Sequence, residues 1–168
     1  FVQRDRSLRK LREQAGRFGD ADYAVFHDGA RRRVLTFAGH ERLVASVAAA
    51  MADRGVVAGD RVAILAANCP EWIVAFWATV SLGAVAVACN GWWIRDEIQH
   101  ALAHTTPKSL AADAKRLARL EGADPGMPVV VLEEDFDDLE SFAPDAPLPG
   151  VAIDADPPAP PPLTPVTT

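Results

Sequence analysis

Apolar and polar positions change their period several times along the chain, and each change marks a predicted element. The opening stretch RDRSLRKLREQAGR, residues 4–17, sets Leu8, Leu11 and Ala15 at helical spacing among basic residues, the pattern of a solvated amphipathic helix. Two short runs, YAVFH at 23–27 and RRVLTF at 32–37, flank Asp28-Gly29, a strong hairpin turn signal, and predict two antiparallel strands. From 38 to 54 the stripe Leu43, Val44, Val47 and Met51 predicts a helix that Gly55 stops. The continuous apolar run VAILAA at 62–67 then reads as a buried strand.

The next helix carries a clear start signal: Asn68 as N-cap, Pro70 in the first turn and Glu71 three residues after the cap. Ile73, Phe76, Trp77 and Val80 fall on one face of it, and Gly83 ends it. AVAVA at 84–88 alternates with period two, so 62–88 forms a βαβ unit with parallel strands. A helix at 95–104, a strand KSLAA at 108–112 and a helix AKRLARLE at 114–121 repeat the alternation. The fold class is therefore α/β, a parallel βαβ sheet flanked by helices with an N-terminal antiparallel hairpin. A rival reading takes the uncharged span 72–94, with Trp near both ends, as a membrane helix. Its polar Thr79, Ser81 and Asn90, and its change of period after Gly83, favour the buried βαβ core.

Composition narrows the function classes. At 168 residues, 49% hydrophobic and 24% charged, the chain has the make-up of a soluble domain or part of one. A net charge of −6 and the absence of a basic face beyond the N-terminus argue against nucleic-acid binding. From 133 to 156 every charged residue is acidic, which suits a solvated connecting loop; the division expected is 1–132 for the α/β part and 133–168 for an acidic, then proline-rich, connecting segment. Cys69 and Cys89 are too few for a disulfide framework, and reduced thiols imply a cytoplasmic setting. The chain opens on Phe1 with no signal-peptide layout, which suggests a start inside a longer reading frame.

Motifs of nucleophilic or phosphate chemistry are missing: there is no GxSxG, GxGxxG or Walker-type loop. His100 and His104 share a helix face at metal-binding spacing, but no third ligand accompanies them and no metal site is assigned. Cys69 stands in a helix's first turn, where the dipole favours a thiolate; a small buried residue beside the cap is the plainer meaning. No catalytic residue stands out.

The order of segments says more than any one residue. LTF before a helix, GDRVAIL, NCPEWIVAFWA, LGAVAVACN, Glu97 in the next helix and PKSLAAD follow one another without a gap from 35 to 113. This series resembles the early part of the adenylate-forming, AMP-binding acyl-CoA synthetases, and NGWW at 90–93 is most similar to their fatty-acyl-CoA ligase branch. The resemblance implies an N-terminal fragment of an ATP-dependent ligase and an incomplete part of a larger adenylating domain. Such an enzyme joins a carboxylic acid, for example a fatty acid, to AMP with release of pyrophosphate, and passes the acyl group to coenzyme A. Mg²⁺ accompanies the ATP.

The resemblance also gives meaning to the end of the chain, DPPAPPPLTPVTT. Asp156, Pro158 and Ala159 match the start of a strand that in relatives leads into a Thr-Ser-Gly-Thr-Thr-Gly phosphate loop, and Thr164, Thr167 and Thr168 match its threonines. These three are the candidate ATP-binding residues. The departures are severe: Pro160, Pro161 and Pro162 cannot donate to a ladder, Pro165 replaces a serine, and Val166 replaces a glycine. The fragment is accordingly expected to be inactive alone and to hold no cofactor. The alternative is a stand-alone α/β interaction module whose proline-rich tail meets an SH3-like partner.

Overall fold

The structure, a computed structural model, describes residues 14–150, apart from the side chains of Asp28 and Arg31. The basic helix expected over 4–17 falls mainly outside the described residues, as does everything after residue 150. A hairpin of β1 (Asp22–Asp28) and β2 (Arg31–Thr36) comes first, antiparallel as expected. Asp28 pairs with Arg31, so the loop is Gly29-Ala30, one residue later than the Asp-Gly signal suggests. Gly29, at φ +56°, takes the first loop position, where a two-residue turn of the II′ kind needs a glycine.

Helix α1 (Phe37–Asp53) starts at Thr36, whose hydroxyl accepts the Gly39 N–H at 3.0 Å. After it come β3 (Arg61–Leu65), α2 (Pro70–Ser81) and β4 (Val85–Ala88), the βαβ unit read from the sequence. Next are α3 (Arg95–Thr105), β5 (Ser109–Ala112), the short α4 (Ala114–Leu117) with a 3-10 turn at Ala118–Leu120, β6 (Val129–Val131) and α5 (Leu132–Ser141). The four strands form one parallel sheet in the order β4-β3-β5-β6.

Alternation along the central strands divides the core in two. Val62, Ile64 and Ala111 point to one face and pack with Val44 and Val47 of α1, Val74 and Ala78 of α2, and Phe136 and Leu139 of α5. Ala63, Leu65, Leu110 and Ala112 point to the other and pack with Ile98, Ala101 and Leu102 of α3 and with Leu120. Burial on both faces is the reason these strands read as continuous apolar runs. No helix of the described residues is long and apolar enough to cross a membrane, and the span 72–94 is helix, turn, strand and loop.

Three sequence readings need correction. The N-cap of α2 is Cys69, extended at φ −144°, rather than Asn68. Pro70 takes the first helical position, where its missing N–H costs nothing, and proline holds the residue before it out of helical geometry, so the cap must be Cys69. Second, the fully buried face of α2 is Val74, Ala75 and Ala78, while Ile73, Phe76, Trp77 and Val80 are only half-buried. A helix apolar all round has no unique stripe, and small residues let it lie close against the sheet. Third, the acidic stretch from 133 is not a loop at its start. Leu132, Phe136 and Leu139 are buried on one face of α5, and its acidic residues stand mostly on the other. Ser46 of α1 fixes the end of α5 by donating to the Leu139 carbonyl at 3.0 Å and accepting the Ala143 N–H at 2.9 Å.

Candidate functional site

In a parallel sheet the carboxyl ends of the strands gather the loops, and open α/β folds bind ligands there. Here β3, β4 and β5 deliver three loops to that edge: Ala66–Cys69, Cys89–Ile94 and the turn at Asp113. Asp113 follows the last residue of β5 and is 7% exposed. Its carboxylate accepts the Ala67 N–H at 2.8 Å and the Arg116 N–H at 2.7 Å, the latter as N-cap of α4. It also pairs with the Arg116 guanidinium at 2.6 Å, with both side chains largely shielded from water.

Arg116 carries the link onward. Its Nε donates to the Gly91 carbonyl at 3.0 Å, and Arg119 donates to the same carbonyl and to that of Trp93, both at 2.8 Å. A side chain at Gly91 would put its Cβ 2.7 Å from Arg116 Nε, so a larger residue would have to push the Arg116 guanidinium out of its network. The loop after β4 is thereby tied to the turn after β5, as a satisfied buried polar network rather than as free charge. Asn90 closes the loop by accepting the Trp92 N–H at 2.9 Å. Trp93 is buried in the core, whereas Trp92 is 84% exposed and Ile94 63% exposed. The edge thus presents a flat aromatic face on a loop that two arginines hold in place.

The residues singled out from sequence distribute unevenly. Thr164, Thr167 and Thr168, with the proline-rich strand start before them, lie outside the described residues. Glu97 caps α3 by accepting the Ile94 N–H at 2.9 Å. His100 and His104 stack at 6.1 Å on the exposed side of α3, and among the described residues no group of three or more His, Cys, Asp or Glu could hold a metal ion. Burial pushes the Cys69 thiol up to about 12, the Trp72 backbone N–H opposing it, and burial pushes Cys89 up to about 11. Neither is a thiolate near neutral pH, so helix-dipole activation of Cys69 is overridden by desolvation. Asp113, Arg116 and Arg119 had no assigned role in the sequence, although an Asp directly after a strand and three residues before an Arg was the available signal.

A cavity of about 770 Å³ lies at the opposite, amino-terminal ends of β3, β5 and β6, among Arg61, Ser109 and Val129.

The model of the AMP-binding enzyme family matches residues 11–167. The chain belongs to the AMP-binding enzyme family. A medium/long-chain-fatty-acid–CoA ligase of Mycobacterium tuberculosis is 31% identical over 142 residues, covering 82% of this chain and 22% of that protein. A 4-coumarate–CoA ligase of Arabidopsis thaliana is 29% identical over 120 residues, covering 71% of the chain and 21% of the ligase. Among solved structures, the fatty acyl-adenylate ligase of L. pneumophila, in complex with acyl adenylate and pyrophosphate, superposes with a TM-score of 0.68 at 19% identity over 83% of this chain and 25% of that one, which shows the fold. A fatty acyl CoA synthetase of Mycobacterium tuberculosis gives 0.63 at 25% identity, over 71% of this chain and 25% of that one. The chain spans about a fifth of the length of these two curated ligases.

Proposed function

We propose that this chain is the N-terminal part of an AMP-forming acyl-CoA synthetase acting on a carboxylic acid of the fatty or related class. The observation that carries the reading is the family match over 11–167, on a parallel sheet whose carboxyl edge is braced by Asp113, Arg116 and Arg119. In the reaction, a carboxylate oxygen attacks the α-phosphorus of ATP, the bond to the bridging oxygen breaks and pyrophosphate leaves. The thiol of coenzyme A then attacks the acyl carbon, and AMP leaves with the bonding pair. Magnesium bound to the nucleotide would neutralise phosphate charge; the described residues supply no ligand set for it.

Thr164, Thr167 and Thr168 are assigned to the phosphates, with 133–168 as the segment leading to them. Their hydroxyls and amides suit that task, while Pro165 and Val166 remove an N–H and the clearance a phosphate loop uses. Trp92 is placed on the border of the acyl or pantetheine path, a role supported by its exposure on the braced loop. Two free thiols support a reducing, cytoplasmic setting. The interaction-module alternative is not favoured, because the family match runs through the proline-rich segment to residue 167.

The 168-residue chain alone should give no carboxylate-dependent exchange of pyrophosphate into ATP; exchange by it would overturn the assignment of inactivity. The coding sequence beyond Thr168 tests the ligase reading itself. A continuation that opens with glycine and reaches Pro-Lys-Gly within a few residues supports a ligase, and a stop codon there leaves a remnant without the reaction.

A further inference from the structure

The cavity at the amino ends of β3, β5 and β6 lies at the end of the sheet opposite the carboxyl edge where the reaction is proposed. Its volume of about 770 Å³ falls within the range of pockets that hold small organic ligands. The floor is apolar: Val62, Ala111 and Val130 from the sheet, Met51 from α1, Ala75 from α2 and Phe136 from α5. No nucleotide base or sugar would find partners for its polar edges on such a floor.

The rim has the opposite character. Arg54, Arg61 and Lys108 stand there exposed, and none of them belongs to an ion pair among the described residues. Two carboxylates also line the cavity, each turned to a backbone amide: Asp60 accepts the Val57 N–H at 3.0 Å and Asp135 accepts the Val131 N–H at 2.7 Å, so three cations stand against two carboxylates. Arg61 reaches only the Thr106 hydroxyl, at 3.3 Å. A rim with an excess of cations over a greasy floor matches a molecule with a hydrocarbon body and an anionic head.

We propose that this cavity binds an amphipathic anion, an unbranched alkyl chain on the floor and its anionic head between Arg54, Arg61 and Lys108. The assignment rests on the cavity and its charges and is independent of the ligase reading, since binding here requires neither ATP nor turnover. The chain itself supplies the probe: Met51 and Met127 are its only methionines and both line the cavity. With methyl-¹³C methionine in the 168-residue chain, decanoate below its micelle concentration should move both methyl signals saturably. Decyltrimethylammonium should need at least about tenfold more to do the same. Decyl phosphate separates the source of the head group: tighter binding than decanoate points to a single-chain phospholipid, weaker binding to a free fatty acid, and both are amphipathic anions. The double variant Arg54→Glu, Lys108→Glu changes exposed side chains only, and should weaken decanoate at least about tenfold with the ligand-free spectrum preserved. Still methyl signals at about 1 mM decanoate, equal response to the cationic detergent, or unchanged affinity after charge reversal would each overturn the proposal.

Discussion

At the carboxyl ends of β3, β4 and β5 the carboxylate of Asp113 and the guanidinium groups of Arg116 and Arg119 are engaged by the protein itself, whereas at the amino ends of β3, β5 and β6 cations stand over an open apolar cavity. The first edge spends Asp113, Arg116 and Arg119 on holding the 89–94 loop, and it leaves a glycine where a side chain would displace the Arg116 guanidinium. The second leaves Arg54, Arg61 and Lys108 without carboxylate partners among the described residues, around about 770 Å³ of open volume. One sheet therefore has a rigid edge, suited to positioning loops, and a permissive edge, suited to accepting a ligand. Burial of charge distinguishes them more sharply than sequence separation or element type.

The largest effect should come from breaking the rigid edge. Asp113→Ala leaves the Arg116 guanidinium buried without its carboxylate and removes the acceptor of two backbone amides. Losing one partner of a buried pair costs about 3–5 kcal/mol, so the urea midpoint of this variant should fall steeply. A loss as small as that of an exposed ion pair would mean the network is not sealed from water. Gly91→Ala comes next, at about 1–3 kcal/mol, because its Cβ would meet Arg116 Nε at 2.7 Å. The collision is with one side chain, so the penalty should shrink markedly in an Arg116→Ala background; additive losses would place the strain elsewhere.

Most of the fold was legible in the sequence, since a change between alternating and helical period is a local property. The hairpin, α1, the β3–α2–β4 unit, α3 and β5 all appear within a residue or two of their expected bounds. What failed depended on reading composition before pattern. Six acidic residues in α5 obscured Leu132, Phe136 and Leu139 at helical spacing, and asparagine's capping strength outweighed the rule that proline takes the first helical position. The site was less legible for a different reason. Asp113 meets Ala67, 46 residues away, and Arg116 meets Gly91, 25 residues away, contacts that exist only once β5 lies beside β3 in the observed register. The candidate phosphate residues Thr164, Thr167 and Thr168 are not among the described residues, and their role stays a proposal.

Glu140 offers a smaller test, at neither edge. Burial raises its carboxyl pKa above the ordinary 4.5, nearby Arg33 opposes the rise, and Glu71 and Asp137 add to it. A carboxyl raised by folding contributes stability that is complete below its unfolded value and is lost as pH climbs through the folded one. Wild type should therefore lose stability relative to Glu140→Gln as pH rises from 4.5 upward. Urea titrations of both chains across that range check the sign, and a difference that grows toward low pH would refute it.

The smallest effect should come from adding volume at the permissive edge. Val130 is half-buried, sits in β6 beside Ala111 and lines the cavity, so Val130→Ile can place its extra carbon in open space. One more buried methylene is worth up to about 0.8 kcal/mol, and the variant should be neutral or slightly more stable than wild type. Gly91→Ala also adds one carbon, to the other edge of the same sheet, and should destabilise. Opposite signs from additions of equal size would separate an edge built to hold from an edge built to receive. If Val130→Ile destabilised as Gly91→Ala does, the cavity would be closed in solution, and the contrast between the two edges would reduce to a difference in charge.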